Sequence, residues 1–187
     1  EMKKAIAVLV FLLLVPAVLA QSIPSPAGFI NDYAHVFTQQ QLAGLNALST
    51  FIEENTTVEM AVLTVDTVSP LDMSQYAQEV FDQWKIGKPD KDNGLLILYA
   101  KQEDKIWVQT GYGLEGILPD SKVGRILDET FVPARTAGNV TDGIVAAAQA
   151  YADVINTNAD EVRSGNAAPA MDIFAFLPVI FFLLFFG

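Results

Sequence analysis

Two short apolar runs constrain the fold of this chain more than any other feature. Residues 58–65 (VEMAVLTV) and 95–99 (LLILY) are nearly free of polar side chains. A strand with one face in water would show polar residues at every second position, so these strands are expected to be buried on both faces. They predict a central sheet that helices cover on both sides.

Helical patterns alternate with these strands. Thr38 stands three residues before Gln41, the spacing of a capping box that opens a helix, and apolar residues follow at helical intervals up to about Glu54. A charged turn at 102–104 precedes a short strand at 106–109, which predicts a hairpin. Three further helices are predicted, with their starts at Asp72 or Ser74, at Pro119, and at Asn139 or Thr141.

The predicted order is therefore helix, strand, helix, strand, strand, helix, helix. Strands that alternate with helices in this way predict an α/β fold, a three-layer α/β/α sandwich with a central mixed sheet. No internal repeat is visible in the sequence.

The two ends differ from this domain in composition. Residues 1–20 combine two lysines, an apolar run and small residues, the pattern of a secretory signal peptide. Residues 171–187 carry no charge after Asp172 and are apolar all round, which predicts a transmembrane helix cut short at its end. The folded domain is expected at 24–157, with a small, polar linker at 158–170.

Charge and residue inventory exclude several functions. Residues 24–157 hold 18 acidic and 8 basic side chains, a net charge of −10, which repels nucleic acid. The chain has no cysteine, so thiolate chemistry and cysteine zinc sites are excluded. Its one histidine, His35, has no histidine partner for zinc, and no serine lies in a nucleophile-elbow motif.

Oxygen-bearing side chains lie at the two ends of the predicted hairpin. Asp90, Asp92 and Asn93 precede the first strand, and Glu115 follows the second. Because the start of one hairpin strand lies beside the end of the other, these residues are expected to meet at one edge of the sheet. Such groups are ligands for hard cations such as calcium. The alternative is that they only solvate two loops.

The segment 111–116 (GYGLEG) has the Gly-x-Gly-x-x-Gly spacing of dinucleotide sites. The next helix opens only after Pro119, so the expected strand–turn–helix context is missing. The glycines are more typical of a turn that needs positive φ angles.

Several separated motifs resemble one family in the same order. They are Ile30-Asn31-Asp32-Tyr33-Ala34, Tyr76-Ala77 with Phe81, Trp84-Lys85-Ile86-Gly87, Asp92-Asn93-Gly94-Leu95-Leu96 and Thr110 to Gly116. Together they resemble a TPM domain, the family that joins thylakoid lumen, photosystem II repair and nematode receptor-associated proteins. The resemblance covers residues 24–157 and implies an α/β/α sandwich.

The resemblance also implies an acidic groove, which in some members binds divalent cations, with calcium as the expected cofactor. Plant members are credited with acid phosphatase activity and photosystem II repair, and an animal branch modulates a receptor channel. Carried over to this chain, the implied metal ligands are Asp32, Asp92, Asn93 and Glu115. The implied groove rim is Trp84, Gly111 and Tyr112.

The resulting prediction is a domain outside the cytoplasm, anchored to the cell membrane, that binds calcium. Its expected role is to assist the assembly or maintenance of a membrane protein complex, with an unknown membrane protein as partner. A metal-dependent acid phosphatase is the alternative.

Overall fold

The computed structural model describes residues 23–164. Within this part of the chain lie four strands, five α-helices and one short 3₁₀ turn, Tyr112–Leu114. In chain order the main elements are β1 (Ile30–Asp32), α1 (Gln39–Thr56), β2 (Glu59–Val65), α2 (Met73–Trp84), β3 (Gly94–Ala100), β4 (Lys105–Thr110), α3 (Asp120–Thr136), α4 (Val140–Thr157) and α5 (Ala159–Ser164).

The strands form one mixed sheet in the order β1-β2-β3-β4. The first three strands are parallel, and β4 returns antiparallel to β3 as the predicted hairpin. β1 lies in a segment that the sequence predicts only as a lead-in arm. It has three residues, and pairing with β2 rather than an apolar pattern stabilises it.

Helices cover both faces of the sheet, so the layers are those that the sequence predicts. Alternate strand residues such as Val62 and Ile97 face a larger core, which α1, α3, α4 and α5 close. Their neighbours Leu63 and Leu96 face a smaller core, which α2 closes. All seven residues of β3 are buried, as expected for a strand packed on both sides.

Helix starts also follow the predicted local signals. Thr38 and Asp72 are N-caps, and each forms a full capping box with the glutamine three residues later. Pro119 and Asn139 stand at the N-caps of α3 and α4 without a side-chain cap bond.

The C-terminal boundary of the domain lies beyond residue 157. α5 occupies the first part of the predicted linker 158–170, and its Val162 is only 2% exposed and belongs to the larger core. Among residues 23–164 no helix is long and apolar enough to cross a bilayer. The predicted signal peptide at 1–20 and membrane segment at 171–187 lie outside the described residues.

Candidate functional site

The structure separates Asp32 from the other predicted metal ligands. Asp32 ends β1 and pairs with Thr64, which in turn pairs with Tyr99 near the end of β3. Asp92 and Asn93 instead precede Gly94, the first residue of β3. Five steps along a strand span roughly 17 Å, so the two groups lie at opposite ends of the sheet. We call these ends the Asp32 rim (Asp32, Thr64, Tyr99) and the Asp92 rim (Asp92, Asn93, Gly111, Tyr112, Glu115).

The Asp32 carboxylate is used by the fold itself. One oxygen accepts from the backbone N–H of Val36 at 3.1 Å, and the other from that of Phe37 at 3.0 Å. The Thr64 hydroxyl donates a further hydrogen bond to the carboxylate and accepts one from the Ala34 N–H. These donors close the turn that connects β1 to α1, so Asp32 has a structural role.

Asn93 is also part of the framework, because it is only 1% exposed and its amide is fully engaged. Its amide oxygen accepts from the Lys88 N–H at 2.9 Å, and its amide nitrogen donates to the Thr57 carbonyl at 3.0 Å. Asn93 thereby joins the loop before β3 to the end of α1.

Asp92 lies on the surface of its rim in a left-handed conformation, with φ of 48°. One carboxylate oxygen accepts from the Tyr112 N–H at 3.1 Å, and the Asp92 carbonyl accepts from the Gly113 N–H at 2.9 Å. The hairpin thus brings Asp92 beside the end of β4, as its spacing predicts.

The glycines of the 111–116 segment serve this close contact. A Cβ at Gly111 would collide with the carbonyl of Asp92, and one at Gly113 with the carbonyl of Lys91. The φ of Gly111 is −74°, and Gly113 is not among the positive-φ residues. The predicted need for positive φ is therefore wrong here, because what excludes a side chain is the approach of the 91–92 backbone.

The remaining predicted residues divide into surface and packing roles. Glu115 is exposed just after the 3₁₀ turn, and Tyr112 is 56% exposed on the rim. Trp84 is half-buried against the smaller core, and its indole N–H donates to the Pro24 carbonyl at 2.8 Å. Gly111 is buried.

The four predicted ligands do not form one metal site. Asp32 is on the far rim with its oxygens engaged, and the Asn93 amide is buried. Across the described residues 23–164, no three acidic or histidine side chains converge closely enough to hold a metal ion. Calcium binding remains a prediction, and of the four predicted ligands Asp92 and Glu115 are the ones with exposed carboxylates.

A charged network near the Asp92 rim was not found from the sequence. The Lys88 ammonium contacts Glu59 at 2.6 Å and Glu53 at 2.9 Å, and the second Glu59 oxygen accepts from the Gly87 N–H. Hydrogen bonds to Glu59 and then Glu53 raise the pKa of Lys88. No spacing rule predicts the network, since it joins α1, β2 and a loop.

The outer edge of β4 was also missed. β4 is the last strand of the sheet, and no strand among the described residues pairs with its outer side. The Gly111 N–H donates to the Gly94 carbonyl, which sets the alternation of the ladder. That alternation directs the backbone N–H and C=O groups of Ile106, Val108 and Thr110 away from β3.

An open groove runs between this edge and α3. It has two adjoining parts with volumes of about 640 and 490 Å³. Both parts are lined by Ile106, Trp107, Gly124 and Leu127. Trp107 is 37% exposed, which is high for so large an apolar side chain. The sequence carries two weak signals of this groove. They are an aromatic residue in a short final strand and a glycine inside a helix.

Comparisons with known proteins place this α/β domain with its four-stranded mixed sheet in a family. The TPM domain model matches residues 30–154, about two thirds of the chain. The chain belongs to the TPM domain family, as the motif resemblance predicts. No protein of curated function matches it.

Solved structures share the fold. The N-terminal domain of a protein from P. gingivalis has 26% identity and a TM-score of 0.66, covering 71% of this chain and 84% of that one. The BA42 protein of Bizionia argentinensis has 19% identity and a TM-score of 0.56, covering 65% and 83%. The N-terminal domain of the cg2496 protein of Corynebacterium glutamicum has 14% identity and a TM-score of 0.54, covering 76% and 86%.

Proposed function

We propose that this TPM domain is a protein-interaction module held at the outer side of a membrane, where it helps to assemble or maintain a membrane protein complex. The observation that carries the proposal is the outer edge of β4, which no strand within residues 23–164 pairs with, beside a mainly apolar groove with an exposed Trp107. Exposed aromatic residues beside an open groove are typical of protein-binding surfaces.

The membrane location rests on the two ends of the chain. Residues 1–20 have the composition of an export signal, and 171–187 that of a membrane anchor. Six residues separate Ser164 from position 171, so the domain would stay within roughly 20–25 Å of the anchor.

We favour a binding function over a catalytic one because the predicted acidic residues do not converge on one site. Asp32 is engaged by three donors, and Asp92 lies on the other rim. His35 is exposed, away from Asp92 and Asn93. A phosphatase needs acids or a nucleophile to converge on one phosphoryl group. If the protein hydrolyses a chromogenic phosphate ester and Asp92→Asn abolishes the hydrolysis, catalysis would be favoured over binding.

The location is testable because the chain has no cysteine. Thr50, exposed on α1, can be changed to cysteine without a competing thiol. In intact cells, Thr50→Cys is expected to react with a membrane-impermeant maleimide, whereas labelling only after lysis would contradict an external domain.

The binding surface is testable by photo-crosslinking in the same cells. A benzoylphenylalanine placed at Trp107 is expected to give one discrete adduct with a membrane protein. The same group at Phe51, which is 49% exposed on α1, is the matched control and is expected to give none. Equal adducts at both positions, or none at either, would contradict the proposal.

A further inference from the structure

We infer that the β4 groove takes an extended segment of the partner protein as a fifth strand, and that this segment alternates basic and aliphatic residues. The inference rests on the proposed function, because it names the binding mode and the chemistry of the partner at that same surface. It is carried by the backbone of β4, the two walls of the groove and the charge of the domain.

The backbone of β4 is suited to accept another strand. Outward-facing N–H and C=O groups at Ile106, Val108 and Thr110 form a row that a new strand can pair with. Soluble proteins usually protect such an edge with proline, a bulge or charges along the strand. β4 has no proline, its pairing with β3 is regular, and its only charge is Lys105 at the first position.

The wall on the α3 side is mainly apolar, and its charged members are Asp120, Asp128 and Arg135. Ile106 and Val108 pack against the larger core on this side, and Val123 and Leu127 of α3 face the groove. Side chains of an added strand point alternately to the two faces of the sheet. Those that point to this side meet aliphatic groups, which selects aliphatic residues at every second position of the partner.

Gly124 keeps this side open. It stands inside α3, where glycine costs about 1 kcal/mol relative to alanine. A Cβ added at Gly124 would meet no heavy atom within 4 Å, so packing inside the domain does not require the glycine. Gly124 lines both parts of the groove, where a larger side chain would occupy the space of the incoming strand.

The α2 side and the charges around the groove favour cations, because four carboxylates line the groove (Asp72, Asp104, Asp120 and Asp128) against two bases, Lys105 and Arg135. Trp107 lies there beside Asp72 and Ser74 at the start of α2. Asp104 is paired with Arg135 at 2.7 Å, whereas Asp128, which lines the groove from the α3 side, forms no ion pair among the described residues. An indole face next to carboxylates binds Lys or Arg side chains by cation–π contact and charge.

Charge complementarity also selects the occupant. A second copy of the chain would bring together two domains that each carry a net charge of −11 over residues 23–164, and these repel each other. The residues that follow the domain, 165–187, contain no lysine or arginine. A basic segment of another protein is therefore the occupant that we propose.

The test uses the full-length protein in detergent and a labelled peptide, acetyl-KVKVKVK-amide, followed by fluorescence anisotropy. The peptide is expected to bind, and N-methylation of its alternate amides is expected to weaken binding by about tenfold or more, because the strand hydrogen bonds are lost. Acetyl-SVSVSVS-amide is expected to bind about tenfold more weakly, since it lacks the charges.

Two matched variants locate the site. Gly124→Leu is expected to weaken binding of the lysine peptide by about tenfold or more, because the leucine fills the groove. Gly44→Leu is the control, since Gly44 is also an exposed helix glycine with open space around it but lies on α1. It is expected to change binding by less than about twofold. Circular dichroism checks that both variants fold, and the N-methylated peptide tests the mode without any variant.

The inference is overturned by several results. They are no binding of the lysine peptide, equal binding of its N-methylated form, or unchanged binding to Gly124→Leu. Equal binding of the serine peptide would indicate an uncharged occupant, such as the chain's own apolar residues 173–187. If sedimentation shows a dimer that Gly124→Leu converts to a monomer, the groove is occupied by a second copy of the chain. An adduct at Trp107 in cells combined with any of these results would leave the proposed function standing and remove only this binding mode.

Discussion

The two rims of the sheet use similar acids in different ways. Asp32 on one rim is partly buried, and its carboxylate accepts two backbone N–H groups and a hydroxyl. Asp92 on the other rim is exposed and its carboxylate accepts one backbone N–H, from Tyr112. Both belong to motifs that resemble the same family, yet Asp92 keeps more free acceptor capacity toward solvent than Asp32 does. A family motif therefore does not by itself distinguish a ligand from a turn-forming residue.

The largest effect is expected from Asp32→Ala. The substitution leaves the N–H groups of Val36 and Phe37 and the Thr64 hydroxyl without their acceptor, so the free energy of unfolding should fall by about 3 kcal/mol. Urea denaturation measures it. Asp32→Asn keeps one acceptor oxygen and should cost less. If Asp32→Ala lowers the free energy of unfolding no more than Asp92→Ala does, the two aspartates do not differ in structural role.

Asn93→Ala is expected to come second, at about 2 kcal/mol. It removes the acceptor of the Lys88 N–H and the donor to the Thr57 carbonyl inside a buried site. Asn93→Asp is the comparison variant: it keeps the acceptor for the Lys88 N–H but buries a carboxylate against the Thr57 carbonyl, so it should cost at least as much as Asn93→Ala. Thermal unfolding of all three proteins measures the effect, and a neutral Asn93→Ala would show that the amide is not structural.

Asp92→Ala is expected to cost about 1 kcal/mol. One hydrogen bond at an exposed site is lost, and alanine tolerates the left-handed φ of 48° less well than aspartate. Asp92→Gly loses the same bond without the backbone penalty, so it should be the more stable of the two variants. The reverse order in denaturant titrations would contradict this account.

On the Asp32 rim, a pH effect is expected from Tyr99 in alkaline solution. Burial, and then the hydrogen bond to Asp104, raise the pKa of Tyr99 to about 12. Because this pKa is raised above its ordinary value, the stabilisation is complete below about pH 10 and is lost as the pH rises through about 12. Unfolding free energies measured across this window should fall less steeply for Tyr99→Phe. An unchanged slope would show that Tyr99 is not the titrating group.

The smallest expected effect concerns calcium. If the predicted calcium binding occurs, its ligands are on the Asp92 rim, so Asp92→Asn should abolish the heat of a calcium titration. Asp32→Asn should leave that heat unchanged, since its carboxylate is engaged on the other rim. Loss of calcium heat in Asp32→Asn alone would contradict the separation of the rims.

Local patterns predicted most of the fold correctly. β2 and β3 are buried apolar runs, and the capping boxes at Thr38 and Asp72 start α1 and α2. β1 and α5 were not predicted because they are three and six residues long and largely polar. Pairing with β2 stabilises β1, and burial of Val162 anchors α5. Both contacts are tertiary, and no periodicity of the sequence records them.

The sequence by itself determined the contact between Asp92 and the end of β4. A hairpin is local, so its turn and strand lengths decide which residues face each other. Only the tertiary structure decided where Asp32 lies, because the direction of a parallel strand is set by the crossover through α1 and its pairing with β2. The tertiary structure also decided that the edge of β4 is open, because no strand among the described residues lies beside it. A local sequence pattern can predict that a strand forms, but it does not show whether another strand lies next to it.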